Sequence, residues 1–338
     1  MPIALDATYS LGRNLSGIGV YSRELMFGLA RAHPQEQFLF CYRPHRYLRA
    51  FQDRLPDNAS RRILRGTPPG DLFHALNQRV DAPASRTIAT FHDLFAITGD
   101  YSTPEFRARF AEQARQAAQR SDLIIAVSQF TATQAHEHLA VEPSRIRVVP
   151  HGVHVPGELS GTRDRLVLYV GAIQRRKNVA RLVRAFERMP EPWRLALAGA
   201  ADGFGAAEEL HAVEISPRKS CIDVLGYVSP MDLETLYRRA GIFAFPSLDE
   251  GFGMPVLEAM AHGVPVVTSR RSAMPEVAGD AALLVDPENV AELADALVRL
   301  ASDPALAADL TRRGLDRARQ FSWDAAVAKT WAVYEEIR

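Results

Sequence analysis

The segment SLDEGFGMPVLEAMAHGVP, residues 247–265, lies between two short apolar runs, IFAFPS before it and VPVVTS overlapping its end. Runs this short and this apolar suit strands buried on both faces, hence a parallel sheet covered by helices. The residues between them then form a strand-to-helix loop at the carboxyl edge of the sheet, where open α/β folds bind ligands. Gly251 and Gly253 bare the backbone there, Pro255 suits the first turn of a helix and Gly263 its end. The unpaired N–H groups of such a first turn suit an anion or hydroxyls. Glu250 stands in the loop. Glu258 falls about one turn into the helix, where a carboxylate can accept both hydroxyls of a vicinal diol such as a ribose. An exposed loop with one glutamate favoured by the helix dipole is the plain alternative. The glycines on both sides of Phe252 weigh against it.

The same alternation runs through the chain. In the first half the strand candidates are PIALDAT, QFLFCY, DLFHAL, RTIATFHD, DLIIAVS and IRVVPHG, with helical patterns over residues 19–31, 104–120 and 130–139. In the second half they are LVLYVGAI, RLALAGA, IDVLGYV, IFAFPS, VPVVTS and AALLVD, with helices near 179–188, 230–240, 254–262 and 290–300. Two sets of six strands predict an α/β protein of two doubly wound, Rossmann-like domains, with a cleft expected between them. The stretch HVPGELSGTRDR, residues 154–165, has turn residues and no periodicity, so it marks the boundary. The expected parts are a first domain over 1–156, a second over 164–320, and a closing amphipathic helix over 321–338. Ser322 can cap that helix, and Phe321, Trp323, Val327, Trp331 and Val333 supply its apolar contacts.

Composition sets bounds. The chain has 338 residues, 47% hydrophobic and 24% charged, as in a water-soluble globular protein of about two domains. No apolar run reaches a membrane span. The start, MPIALDATYS, reads as a core strand and not as a signal peptide. Cys41 and Cys221 stand alone in apolar, strand-like segments, which suits buried thiols in a reducing cytoplasm. The net charge is zero, and no nucleic-acid partner is expected. Charge is nonetheless uneven, since residues 43–65 hold seven arginines and two aspartates. That cluster fits either a solvated face or contact with an anionic membrane surface.

Three further stretches end a strand and open a helix. In YVGAIQRRKNVARLVRAF, residues 169–186, Arg175, Arg176 and Lys177 precede a helix that Asn178 could cap. Cations at a helix N-terminus oppose its dipole. An anionic ligand shared by both, such as a diphosphate, would resolve that conflict, although a solvated basic loop explains the stretch taken alone. In LSGIGVYSREL, Gly17 and Gly19 open a helix after the first strand, either as a backbone approach to phosphate or as a turn without a ligand. In TIATFHDLF, His92 and Asp93 close a strand at the carboxyl edge. No Asp-x-Asp metal pair, phosphate-binding lysine loop, His-Glu-x-x-His or nucleophile elbow occurs, and no metal site is expected.

Taken in order, these segments resemble the retaining glycosyltransferases of family 4, which have the GT-B fold. SGIGVYSREL is similar to the family's N-terminal glycine loop, TFHDLF to its His-Asp segment, and SDLIIAVSQFT with IRVVPHGV to the end of its first domain. YVGAIQRRKN is similar to its phosphate loop, VLGYVSPMDLETLYRRA to its base-binding strand and helix, and Glu250 with Glu258 to its Glu-x₇-Glu signature. FSWDAAVAKTWAVYEEI is similar to the closing helix that crosses back to the first domain.

The resemblance implies catalytic roles for Glu250 on the donor sugar's hydroxyls, His92 beside the reacting sugar, and Lys177 on the diphosphate. It implies donor contacts from Arg176, from the backbone of Phe252, Gly253 and Met254, from Glu258 on the ribose, from Gly17 or Gly19, and from the backbone around Tyr227 and Val228 on the base. Many relatives carry arginine directly after the phosphate-loop glycine. Ala172 stands there in this chain, and Arg176, or Arg175, is expected to replace its charge.

The implied activity is metal-independent transfer of a hexose, mannose first, from a nucleoside diphosphate sugar, GDP-mannose first, to a glycan or lipid-linked glycan. No cofactor is implied. The implied setting is the bacterial cytoplasm or the inner face of its membrane, in surface polysaccharide assembly. A nucleotide-sugar epimerase of the same fold and a non-catalytic nucleotide-sugar-binding protein are the competing readings.

Overall fold

The computed structural model describes residues 2–12, 14–157 and 162–338. The chain divides into two compact units. The first comprises Met1–Gly99, Pro104–Gly152 and Phe321–Arg338, the second Asp100–Thr103 and Val153–Gln320. The chain therefore passes between units just before the expected linker, and residues 158–161 of that linker lie outside the described residues. The short piece Asp100–Thr103, which groups with the second unit, has no signature in the local sequence.

The first unit contains β1 (Ile3–Asp6), α1 (Gly17–Ala32), β2 (Phe38–Tyr42), α2 (Pro44–Tyr47), β3 (Ala59–Ile63), β4 (Leu72–Ala75), β5 (Arg86–Phe91), α3 (Phe95–Thr98), α4 (Pro104–Arg120), β6 (Leu123–Ala126), α5 (Gln129–Leu139) and β7 (Ile146–Val148). The second contains β8 (Leu166–Val170), α6 (Val179–Phe186), β9 (Arg194–Ala198), α7 (Ala206–Ile215), β10 (Ile222–Gly226), α8 (Pro230–Arg239), β11 (Ile242–Phe245), α9 (Met254–Ala261), β12 (Val266–Ser269), α10 (Met274–Ala278), β13 (Ala282–Val285), α11 (Val290–Ser302) and α12 (Pro304–Ala318). Helix α13 (Trp323–Glu335) closes the chain and groups with the first unit.

Each unit is built on one parallel sheet, ordered β3-β2-β1-β4-β5-β6-β7 in the first and β10-β9-β8-β11-β12-β13 in the second. The strand order reverses at β1/β4 and at β8/β11, and a doubly wound sheet opens its binding crevice at such a reversal. Central strands such as β1, β4, β6, β11 and β12 are buried at every position, as helices on both faces require.

The first sheet has seven strands where sequence patterning predicts six. The additional one, β3, reads ASRRI and lies at the sheet edge beside β2. Its residues are half-buried or exposed, so it lacks the apolar run that betrays a central strand, and edge arginines discourage pairing with another chain. Helices α7, α10 and α12 also escape the periodicity. In α12 only Leu310, Gly314 and Ala318 are buried, too thin a stripe to stand out among its charges.

The arginine cluster is not uniformly solvated. Arg43 is buried and pairs with Asp81 and, at 3.4 Å, with the fully buried Asp6. Arg46 donates to the Leu11 carbonyl, and Arg61 donates to the carbonyls of Ala50 and Asp53 beneath the Phe51 ring. Arg49, Arg54, Arg62 and Arg65 remain exposed. Cys41 is buried as expected, but Cys221 is only half-buried, in a single turn before β10. No helix among the described residues is long and apolar enough to cross a membrane.

Helix α13 is held as its sequence suggests. Ser322 Oγ accepts from Ala325 N at 3.1 Å, and Trp323, Val327 and Val333 are buried. Phe321 is half-buried, and Trp331 stacks on His33 at 3.6 Å between centroids. Gly152 lies so close to the start of this helix that a Cβ there would collide with the backbone nitrogen of Trp323. A bare backbone is required at that approach.

Candidate active site

In the second unit the loops after β8 and β11 leave neighbouring strands at the reversal of the sheet. The first is a single 3-10 turn, Arg175–Lys177, ended by Asn178 in the left-handed region at φ 63. Asn178 does not cap α6 with its side chain, which corrects the expectation from sequence. Its Nδ2 donates instead to the carbonyls of Pro246 at 2.9 Å and Pro287 at 2.7 Å, tying this loop to the end of β11. Ser247 Oγ and the Leu248 amide both donate to the Arg176 carbonyl, at 3.1 and 2.8 Å.

The join brings three charged side chains together. Lys177 Nζ lies 2.5 Å from Glu250 Oε1, and Arg176 Nη1 lies 3.1 Å from Glu250 Oε2. Ser247 Oγ donates to Glu250 Oε1 at 2.6 Å, and Arg176 also donates to the Asp249 carbonyl. The Glu250 amide donates to Ser272 Oγ at 3.1 Å, and the Lys177 ammonium sits 4.8 Å from the Phe245 ring centroid. Glu250, Arg176 and Lys177 are 7%, 6% and 9% exposed. Burial pushes the Glu250 carboxyl up, but Arg176 and Lys177 outweigh it and bring the group down to about 2. It is a carboxylate at neutral pH and has no proton to give.

The helix-dipole argument for an anion at α6 therefore needs correction. The first turn of α6 is served by a protein carboxylate, since Glu209 Oε2 accepts from Ala180 N at 2.7 Å. The nearby cations are met by Glu250. Arg175 turns away, exposed, with its guanidinium 5.3 Å from the Phe204 ring centroid. Arg176 is thus the arginine that the fold places beside Lys177.

Beyond Glu250 the chain turns through Gly251–Gly253 into α9. Gly253 has φ 105, and a Cβ there would collide with the Met274 side chain. The left-handed conformation calls for glycine, and the flexible end of Met274 fills the space beside it. Gly253 is the N-cap of α9 and contributes no side-chain cap. Phe252 is buried at 5% exposure, and Met254 is half-buried. Glu258, in the second turn of α9, accepts from the Tyr237 hydroxyl at 2.8 Å, and burial raises its pKa against that hydrogen bond. Tyr227, 47% exposed, and the half-buried Val228 lie in the loop between β10 and α8, at the carboxyl end of the same sheet.

The remaining sequence candidates belong to the first unit. Gly17 is the exposed first residue of α1. Gly19 has a packing reason for its bareness, because a Cβ would lie 2.9 Å from the Tyr9 carbonyl, and its amide donates to the Ser16 cap at 3.3 Å. His92, 7% exposed, follows β5, and its Nε2 lies 3.0 Å from the Leu76 carbonyl. The Tyr21 ring meets it edge-on at 4.8 Å, and His151 stacks on it at 5.3 Å. Burial lowers the His92 pKa to about 4 against the Leu76 hydrogen bond, so the imidazole is neutral at pH 7. The proton then sits on Nε2, the atom facing Leu76.

Sequence reasoning missed Ser247, Ser272 and Tyr237. Ser247 and Tyr237 lie within stretches that had been singled out, yet only the tertiary contact gives them partners. Ser272, at φ 55, lies on the loop after β12 and carries no local signal.

Two glycosyltransferase family models match the chain, Glycosyltransferase Family 4 over residues 15–155 and Glycosyl transferases group 1 over residues 155–317. The protein belongs to glycosyltransferase family 4 and has the GT-B fold. It is 31% identical over 281 residues to the O-antigen chain mannosyltransferase B of Escherichia coli, a match spanning 78% of this chain and 74% of that protein. It is 34% identical over 238 residues to the MMP alpha-(1->4)-mannosyltransferase of Mycolicibacterium hassiacum, spanning 67% of this chain and 57% of that protein. Among solved structures, sucrose-phosphate synthase from Thermosynechococcus elongatus superposes with a TM-score of 0.79 over 100% of this chain and 99% of that one, at 21% identity. That likeness speaks for the fold alone.

Proposed function

We propose that the protein transfers a mannosyl group from a nucleoside diphosphate sugar, with GDP-mannose the first choice, to a hydroxyl of a glycan or lipid-linked glycan. The anomeric configuration is retained and no divalent metal is needed. The observation that carries the reading is the buried Arg176–Lys177–Glu250 cluster at the β8/β11 reversal. The mannosyltransferase names of two relatives support the choice of sugar.

The chemical problem is charge. As the glycosidic bond breaks, the sugar becomes oxocarbenium-like and the diphosphate gains negative charge. Fixed cations and amides aimed at that charge lower the barrier by about 2.7–4 kcal/mol per donor, by analogy with oxyanion holes. Lys177 and Arg176 supply the cations, and the backbone of Gly253 and Met254 at the start of α9 supplies N–H groups. Glu250, ionised and anchored, holds sugar hydroxyls, and Glu258 holds the ribose. Because Glu250, brought down to about 2 and engaged at both oxygens by Arg176, Lys177 and Ser247, is a weak base, we favour a same-face mechanism in which the departing phosphate takes the acceptor's proton. For the neutral His92 we propose, on the family resemblance, contact with the reacting sugar.

The test is transfer from radiolabelled GDP-mannose, UDP-glucose, UDP-GlcNAc and dTDP-rhamnose to a lipid-linked glycan acceptor, with and without excess EDTA. Retained configuration in the product and undiminished rates in EDTA are expected. Strict dependence on added Mg²⁺ or Mn²⁺ would remove the metal-free part, and an epimerised free donor would replace transfer with epimerisation.

The protein would work at the inner face of the bacterial membrane. Leu48, Phe51 and Ile63 are 83%, 60% and 49% exposed, in segments that also carry the exposed Arg49, Arg54, Arg62 and Arg65. Apolar side chains among exposed arginines suit an anionic bilayer surface. Flotation with anionic vesicles at low salt is expected to carry the protein, and Leu48→Ser with Phe51→Ser to release it. Equal flotation with purely zwitterionic vesicles would discard the electrostatic part.

A further inference from the structure

Glu258 does not present a freely rotating carboxylate. Its Oε2 accepts from the Tyr237 hydroxyl at 2.8 Å, and its Oε1 carries no hydrogen bond among the described residues. Tyr237, on α8, is 2% exposed. Its ring stacks on His262 at 5.0 Å and 20° and tilts against Phe243 at 5.9 Å. His262 Nδ1 in turn lies 2.7 Å from the Glu258 carbonyl. The hydroxyl is therefore aimed by a ring packed against two others, and one of these is bonded to the backbone of the residue it serves. Burial, followed by the charge of Glu258, pushes the Tyr237 hydroxyl well above its ordinary range, so it stays a donor throughout the working pH range.

We propose that Tyr237 is a positioning residue that sets the enzyme's preference for a ribonucleotide over a 2′-deoxyribonucleotide donor. It occupies Oε2 and so fixes the plane of the Glu258 carboxylate. Oε1 is left at one orientation as the acceptor for the ribose diol. A carboxylate free to turn could re-pair with the hydroxyl that remains on a deoxyribose and recover part of the loss. A pinned one cannot, and it also loses less rotamer entropy when the donor binds. The inference rests on reading Glu258 as the ribose ligand.

The experiment is titration calorimetry with GDP and UDP and their 2′-deoxy counterparts, together with steady-state transfer kinetics, on wild type, Tyr237→Phe and Glu258→Ala. The phenylalanine keeps the stacked ring and removes only the hydroxyl. Tyr237→Phe is expected to raise Kd for the preferred ribonucleotide about tenfold, in line with the loss of one hydrogen bond to a charged group. It is expected to raise KM for the donor with kcat nearly unchanged, and to shrink the ratio of deoxy to ribo Kd. Glu258→Ala is expected to abolish that ratio.

If Glu258→Ala leaves the ratio intact, the ribose reading itself fails. If Glu258→Ala abolishes it while Tyr237→Phe keeps wild-type affinity and ratio, Tyr237 is only a packing residue and the inference alone fails. Should Tyr237→Phe not be recovered folded, His262→Gln, which removes one of the two packed rings, is measured in the same way. An unchanged ratio there overturns the proposal.

Discussion

Lys177→Ala is expected to lower kcat by about 10²–10³-fold, the range seen when one preorganised donor to a developing oxyanion is removed, with a smaller loss of stability than Glu250→Gln. The ammonium lies 2.5 Å from Glu250 in a site where it is 9% exposed. Its charge is thus already desolvated and aimed before a donor arrives, and such charges act strongly on a transition state. The fold should tolerate the change because Arg176 at 3.1 Å and Ser247 at 2.6 Å still satisfy the Glu250 carboxylate. Donor KM should move less than kcat. Turnover near the wild-type level in a well-folded variant would take Lys177 out of the reaction.

Glu250→Gln should lose both transfer and stability, and the two losses together set it apart from the lysine variant. An amide cannot balance Arg176 and Lys177, which would lose the carboxylate that serves both as a buried counter-charge. Breaking a buried ion pair from one side costs about 3–5 kcal/mol, readable as a lower urea midpoint with an unchanged m-value. The pH dependence follows from the same carboxylate. Its folded pKa, about 2, lies below the ordinary 4.5. Its contribution is therefore fully present above 4.5 and is lost as pH falls from there towards 2. Wild type should lose about 3 kcal/mol of stability across that window through this one group. The variant should lack that component, so the gap between the two proteins narrows in acid. A gap that stays constant from pH 6 to pH 3 would mean that the carboxylate is not stabilised by its two cations.

Most of this fold is legible in the chain because a doubly wound sheet leaves local marks. Buried parallel strands are apolar at most positions, as in the IFAF and LIIA runs, and the helices between them must carry an apolar stripe. Where an element escapes those demands it escapes notice. The edge strand Ala59–Ile63 needs no second apolar face, and α12 buries only three residues. The site shows the same division. Gly253 is legible because a turn into a helix at positive φ strongly favours glycine. Asn178 was misread because a cap and a cross-loop tie look identical in sequence.

Residue pattern along the chain is enough to establish two open α/β sheets, the loops at their carboxyl edges, and the order of segments that marks family 4. Each of these depends on neighbours within a few positions. Which charges meet could be settled only by the folded chain. Arg176 was separated from Arg175, Glu209 was assigned to the first turn of α6, and Tyr237 was set against Glu258 by side chains that are 21 to 73 positions apart or that differ only in the direction they leave the backbone. Hydrogen bonds and ion pairs act over about 3 Å in space and carry no trace in the spacing of a sequence.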